Sequence, residues 1–184
     1  YTKLHPADHS FEERSACIDT LKKIGYQTGT GVMIGLPGQT IENLADDILY
    51  FKNKDIDMIG MGPYVVSKET PLGQNALNTK DERARRFELG LKMIAVTRLF
   101  LRDINIAATT ALQALNPIGR ELGLKAGANI IMPIITNLDH RKDYQLYDDK
   151  PCIDDNADHC KNCLENRIKS IGDEVGYGEW GDSK

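Results

Sequence analysis

No apolar run in this 184-residue chain comes near the roughly 20 residues a membrane span needs, and its first residues lack the charged, apolar and small-residue succession of a secretion signal. The expectation is a cytoplasmic protein that does not associate with membrane. Charge of one sign is not concentrated either: the net charge is -4 with acids and bases interspersed, so electrostatics gives no reason to expect nucleic acid as a partner. No Ser/His/Asp set and no paired carboxylates stand out, which argues against hydrolytic acid–base chemistry. An initiator methionine is missing, the chain opening on Tyr1-Thr2-Lys3-Leu4-His5-Pro6, so it reads as starting inside a longer protein. Cysteine is scarce, four residues in all; Cys152, Cys160 and Cys163 crowd together while Cys17 stands alone, an asymmetry that argues against a disulfide framework.

What is there is ordinary globular composition, 41% hydrophobic and 27% charged, enough for one packed domain. Ser10-Phe11-Glu12-Glu13 has the residues of a capping box, and Ala16, Ile18, Leu21 and Ile24 follow at helical spacing up to Gly25. Residues 28–35 are apolar toward their end and predict a buried parallel strand rather than an exposed alternating one, closed by Leu36-Pro37-Gly38-Gln39. Thr40 predicts the cap of a second helix running to Lys54 or Asp55, and Asp57 to Val66 a second strand followed by a long loop from Ser67 to about Leu77. A third helix is expected over roughly Lys80–Leu101, a third strand over Ile104–Ala111, a helix from Pro117 to Leu124 or Lys125, and a fourth strand over Asn129–Pro133.

Alternating helices and strands predict an α/β fold: a partial, half β/α TIM-type barrel of about four parallel strands over residues 1–135. Residues 136–184 are polar and Asp-rich, with one helix near Leu164–Ile171, and read as a C-terminal Cys-containing extension.

In a parallel barrel the chemistry gathers at the C-terminal strand ends. There stand Met33, Gly35 and Gln39; Gly62, Pro63 and Tyr64; Thr109 and Thr110; Met132 and Pro133. The Gly35-Leu36-Pro37-Gly38 stretch is either a tight turn or a place where a flat ligand approaches backbone. Thr109 and Thr110 either hold an anion or satisfy a fraying strand, and Met33 and Met132 either border a ligand or fill core. Arg14 is either an exposed charge or a partner for a carboxylate; His5, His9 and His140 read as surface residues. The spacing Cys152, seven residues, Cys160, two residues, Cys163 can bring three thiolates to one metal, with a fourth position for water, an outside ligand or His159. Free thiols, or a Cys160/Cys163 redox pair, are the alternatives.

Several stretches together resemble the FeFe-hydrogenase maturases of the HydE type. These are Leu4-His5-Pro6, Ser10-Phe11-Glu12-Glu13-Arg14, Met33-Ile34-Gly35-Leu36-Pro37-Gly38-Gln39-Thr40, Gly62-Pro63, Thr70-Pro71-Leu72, Ala108-Thr109-Thr110-Ala111, Ile131-Met132-Pro133 and Tyr144-Gln145-Leu146-Tyr147. The resemblance is to the C-terminal half and covers nearly the whole chain; the Gly-Leu-Pro-Gly-Gln turn is shared with biotin synthase and methylornithine synthase, while the cysteine spacing is similar to the auxiliary cluster site of many HydE proteins.

It implies a full-length barrel that binds S-adenosylmethionine on a 4Fe-4S cluster, cleaves it reductively to a 5'-deoxyadenosyl radical, and serves the assembly of the hydrogenase diiron site from an iron-complex substrate. It implies that Arg14 contacts the cofactor's carboxylate, that Met33 and Val65 border its adenosine, and that Thr109, Thr110, Met132, Tyr144 and Tyr147 line the cavity near substrate or an anion. Cys152, Cys160 and Cys163 would hold the auxiliary iron–sulfur cluster.

The family's Cys-x3-Cys-x2-Cys loop is absent from these residues, so the chain alone is expected to be inactive and to associate with the missing N-terminal half-barrel or with itself. The alternatives are a methylornithine synthase-like or biotin synthase-like radical enzyme fragment, and a non-enzymatic metal-binding module such as a zinc domain.

Overall fold

The computed structural model describes residues 1–147, 150–152 and 157–182, without the side chains of 157–160. Each of the longer helices before the extension starts where a hydroxyl meets the free N–H groups of a first turn. Ser10 accepts from the Glu13 amide at 3.2 Å to begin α1 (Phe11–Lys23). Thr40 and Asn43 exchange side-chain and backbone bonds at 3.3 and 3.1 Å to begin α2 (Ile41–Asn53), and Thr79 begins α4 (Lys80–Phe100). Between them run β1 (Gly29–Ile34), β2 (Met58–Pro63) and the short α3 (Pro71–Gln74). The chain goes on through β3 (Asn105–Ala107), α5 (Thr110–Leu115), α6 (Gly119–Lys125), α7 (Leu138–Arg141), a 3-10 turn at Lys142–Tyr144, and α8 (Ala157–Ser170).

The three strands form one parallel sheet in the order β1-β2-β3. Side chains alternate across a strand, so the sheet has two faces of different character. On one, Ile34, Ile59, Met61 and Ile106 are fully buried against Leu44, Ile48 and Phe51 of α2 and Met93 and Ile94 of α4. The other presents Gly29, Gly31 and Met33 of β1 and Met58, Gly60 and Gly62 of β2, exposed or half-buried. The architecture is that of a partial β/α barrel: a mixed α/β chain with a small parallel sheet and helices on one side of it.

Several expectations need correcting. β1 alternates in exposure instead of being buried on both faces, because its glycines stand on a face with little packed over it. The fourth strand reduces to a single parallel bridge between Ala107 and Ile130, held by the Ala108 amide on the Ile130 carbonyl at 2.8 Å; Pro133, lacking an N–H, cannot extend the ladder. The third strand stops at Ala107, and Thr110 already begins α5. The loop after β2 contains the single turn of α3, and α8 starts earlier than its apolar residues suggest.

α1 contributes no buried residue. Half-buried Ile18 packs against the core, and polar links add to it: Lys54 pairs with Asp19 at 2.6 Å, the Tyr50 hydroxyl donates to Ser15 at 3.2 Å, and Lys22 reaches the Asp55 carbonyl and carboxylate. The extension is anchored by Arg167, which donates to the Pro117 carbonyl and the Glu121 carboxylate at 2.9 and 2.7 Å, and by Gly181, whose carbonyl accepts from Asn105 at 2.8 Å. No helix among the described residues is long and apolar enough to cross a membrane.

Phe51 is 1% exposed at the centre of the helix-covered face. Phe51→Ala is expected to cost about 3–5 kcal/mol, read by urea denaturation. Asp47 on α2 has its carboxyl pushed up to about 6 by partial burial and then by the neighbouring Asp46. The native state therefore binds more protons than the unfolded chain between about pH 4 and 6, and stability falls as pH rises through that window. Asp47→Asn should flatten that slope and, given the group's partial exposure, stabilise the protein by about 1 kcal/mol at pH 7.

Candidate functional site

The residues after β1 are held by one side chain. Gln39 accepts from the Gly35 and Leu36 amides at 2.7 and 3.3 Å and donates to the Met33 carbonyl at 3.1 Å. Gly35 and Gly38 both take positive φ, +81° and +79°, where a side chain would be strained. Met33, at the rim of the bare sheet face, is 54% exposed. At the tip of β2 the Tyr64 amide donates to the Ile34 carbonyl at 2.8 Å, and Val65 is buried beside it.

Thr109 follows β3 directly. Its hydroxyl lies against Gly62, 3.1 Å from where a Cβ would stand, and is buried without a hydrogen-bond partner. Thr110 does have one, since its hydroxyl and that of Tyr147 are 2.8 Å apart. Burial raises the Tyr147 pKa, and the Thr110 bond and the Arg120 charge pull against that rise, so the phenol is protonated at neutral pH. Beside this pair opens a cavity of about 330 Å³ lined by Thr110, Met132, Tyr144, Arg141, Lys150 and Cys152 among others. Residues far apart in sequence and singled out separately, Thr110, Met132, Tyr144 and Tyr147, thus meet at one place, with Thr109 next to it. Arg14, Met33 and Val65 lie apart from that cavity; Arg14 is exposed on α1.

Cys152 lines the cavity with a positive φ of 65°, its carbonyl accepting from Arg141 at 2.8 Å. Cys163 is half-buried on α8, one turn before Arg167. Burial works against the Arg167 charge, but Cys163 and Glu121 outweigh it and hold its pKa above the ordinary guanidinium value. The side chains of Cys160 and His159 lie outside the described residues. Among the described residues no three His, Cys, Asp or Glu side chains gather around one point.

No family model matches the sequence. Over all 184 residues the chain is 45% identical to the [FeFe] hydrogenase maturase subunit HydE of Thermotoga maritima, of which it spans 50%. The chain belongs to the HydE-type maturases. Two biotin synthases, from Picosynechococcus sp. and Crocosphaera subtropica, are each 28% identical over 67% of the chain, which spans 32% and 30% of their lengths. The reading of a HydE-type C-terminal half is supported by the first of these relatives.

Two buried arginines near these turns were not visible as such in the sequence. Arg141, in a polar stretch that reads as surface, is 3% exposed and donates to the carbonyls of Thr136, Cys152 and Ile134 at 2.8, 2.8 and 3.1 Å. Arg86, in the charged first half of α4, is 2% exposed and reaches the Leu77 carbonyl at 2.7 Å.

Thr110→Val and Tyr147→Phe each remove one side of the 2.8 Å bond. A double-mutant cycle in urea should return a coupling of about 1 kcal/mol, with the double variant less destabilised than the sum of the singles.

Proposed function

We propose that this chain forms the cofactor- and substrate-facing wall of a HydE-type radical S-adenosylmethionine maturase that serves assembly of the FeFe-hydrogenase diiron site. The observation that carries the reading is the meeting of Thr110, Met132 and Tyr144 at one cavity, with Tyr147 bonded to Thr110 beside it, in a chain 45% identical to a HydE. Residues 1–135 supply the barrel half and 136–184 an extension that closes over it.

The residues present fit S-adenosylmethionine. Gly31 and Gly60 leave the sheet face flat for a nucleoside, Met33 stands exposed at its rim, and the buried Thr109 hydroxyl, lying against Gly62, has an unmet bond. Met33 and Val65 would border the adenosine, and Arg14 would meet the carboxylate. When bound on a 4Fe-4S cluster, the cofactor supplies a carbon-centred radical by reductive cleavage. The chain's own residues orient and line: Thr109 and Thr110 offer hydroxyls to a substrate or anion, Tyr147 holds Thr110 in place, and Met132 and Tyr144 form part of the cavity wall. An iron complex with small polar ligands suits a cavity that joins hydroxyls, a lysine and an arginine to apolar walls.

The 184 residues contain no Cys-x3-Cys-x2-Cys, so the cluster and its barrel half belong to the other part of the protein. β1 pairs on one side only among the described residues, and that edge, with the unburied α1, is where the other half-barrel would dock. Cys152, Cys160 and Cys163 would hold an auxiliary cluster in the extension.

Full-length protein carrying this segment, reconstituted anaerobically with iron and sulfide, should cleave S-adenosylmethionine under reduction and support hydrogenase maturation, while residues 1–184 alone cleave none. The Thr110→Val and Tyr147→Phe pair should lower maturation roughly tenfold with little change in cofactor affinity. Zinc in place of iron and sulfide, or cleavage without maturation, would refute the maturase reading; the latter would favour a biotin synthase-like substrate.

A further inference from the structure

A guanidinium keeps its charge at every accessible pH, so burying it is costly unless its donors are met. Those of Arg86 are met only in part. Nη2 donates to the Leu77 carbonyl and stands 3.8 Å from the Glu82 carboxylate, while Nε and Nη1 are enclosed with no hydrogen-bond partner. A side chain that merely filled this space would be better as methionine or leucine.

The charge has another use. The guanidinium carbon sits 5.3 Å from the centre of the Tyr64 ring. The Tyr64 hydroxyl is buried without a partner, so the ring is oriented through its face and not through its oxygen. The stem of the same arginine fills the space beside Gly35, where a Cβ would lie 2.8 Å from Arg86 Cγ. Gly35 is tied through Gln39 to the Met33 carbonyl, and Tyr64 precedes Val65. One buried side chain therefore touches the turns after both β1 and β2.

We propose that Arg86 is a positioning residue: its stem against Gly35 and its guanidinium on the Tyr64 ring hold the two turns so that Met33 and Val65 can border the adenosine of S-adenosylmethionine. This rests on the reading that those strand tips bind the cofactor. Arg86 itself does not touch the cofactor and acts through Gly35 and Tyr64. Gly35 is then required twice, for its positive φ and for the room its missing Cβ gives the arginine.

The test is cofactor binding by equilibrium dialysis in full-length, unreduced protein, followed by KM and kcat under reduction. Arg86→Met keeps the stem and loses the charge; Kd and KM for S-adenosylmethionine should rise about tenfold with kcat within about twofold, and Arg86→Lys should recover part of the loss. Gly35→Ala meets the stem that Arg86→Met retains and strains the positive φ, so it should raise Kd in the same direction and further in the double variant. A folded Arg86→Met with unchanged Kd overturns the proposal, as does a loss that follows the melting temperature and is not recovered by lysine. If Arg86→Met does not fold, Tyr64→Leu carries the test with the same expected rise, and an unchanged Kd there overturns it too. Wild-type protein that binds no cofactor overturns this proposal and the cofactor reading together; wild-type binding with unaffected variants overturns the positioning role alone.

Discussion

The structure depends on a parallel sheet whose two faces obey different rules. Ile34, Ile59, Met61 and Ile106 need helices over them, and α2 and α4 supply the apolar stripe that removes them from water. The opposite face is mostly glycine, with Met33 and Met58 the side chains that β1 and β2 place there. Gly31 cannot be otherwise, since a Cβ there would come within 2.3 Å of the Gly60 carbonyl oxygen. Burial on one side thus fixes which residues stand on the other, and the parallel direction sends all three strand ends to the same edge.

From that edge the site follows with little further freedom. Gln39 spends both ends of its amide on the turn after β1, leaving Met33 at the rim. Thr109 and Thr110 leave β3 at the start of a helix, so one hydroxyl lies down on Gly62 while the next faces Tyr147. That last contact reaches across to the extension, and it is what makes the extension part of the site.

The sequence was legible where period and caps agreed. Ser10 and Thr40 marked helix starts that the structure has, and the apolar runs before Gly35 and Gly62 were strands. It was less legible where a local preference met a tertiary limit. Asn129–Pro133 has the look of a strand, yet only Ile130 finds a partner because β3 ends at Ala107. Thr110–Leu115 has too few turns to declare itself a helix by period. The threonines and Met132 came from strand-end reasoning, but Tyr144 and Tyr147 came from the family resemblance, because nothing in a polar, Asp-rich stretch says which of its residues turn inward.

Two arginines, one buried and one half-buried, explain why that stretch is placed at all. A polar segment has too little apolar surface to hold itself against a barrel, and the extension buries Leu164 and Ile168 among few others. Arg141 binds three carbonyls of its own connection, and Arg167 bridges α8 to Pro117 and Glu121. Planar forks that meet fixed carbonyls define geometry more narrowly than apolar contact does, because each bond has a direction. Where a hydrophobic seam would let the extension slide, these bonds fix its register. That register is what brings Tyr147 to Thr110 and Cys152 to the rim of the same cavity.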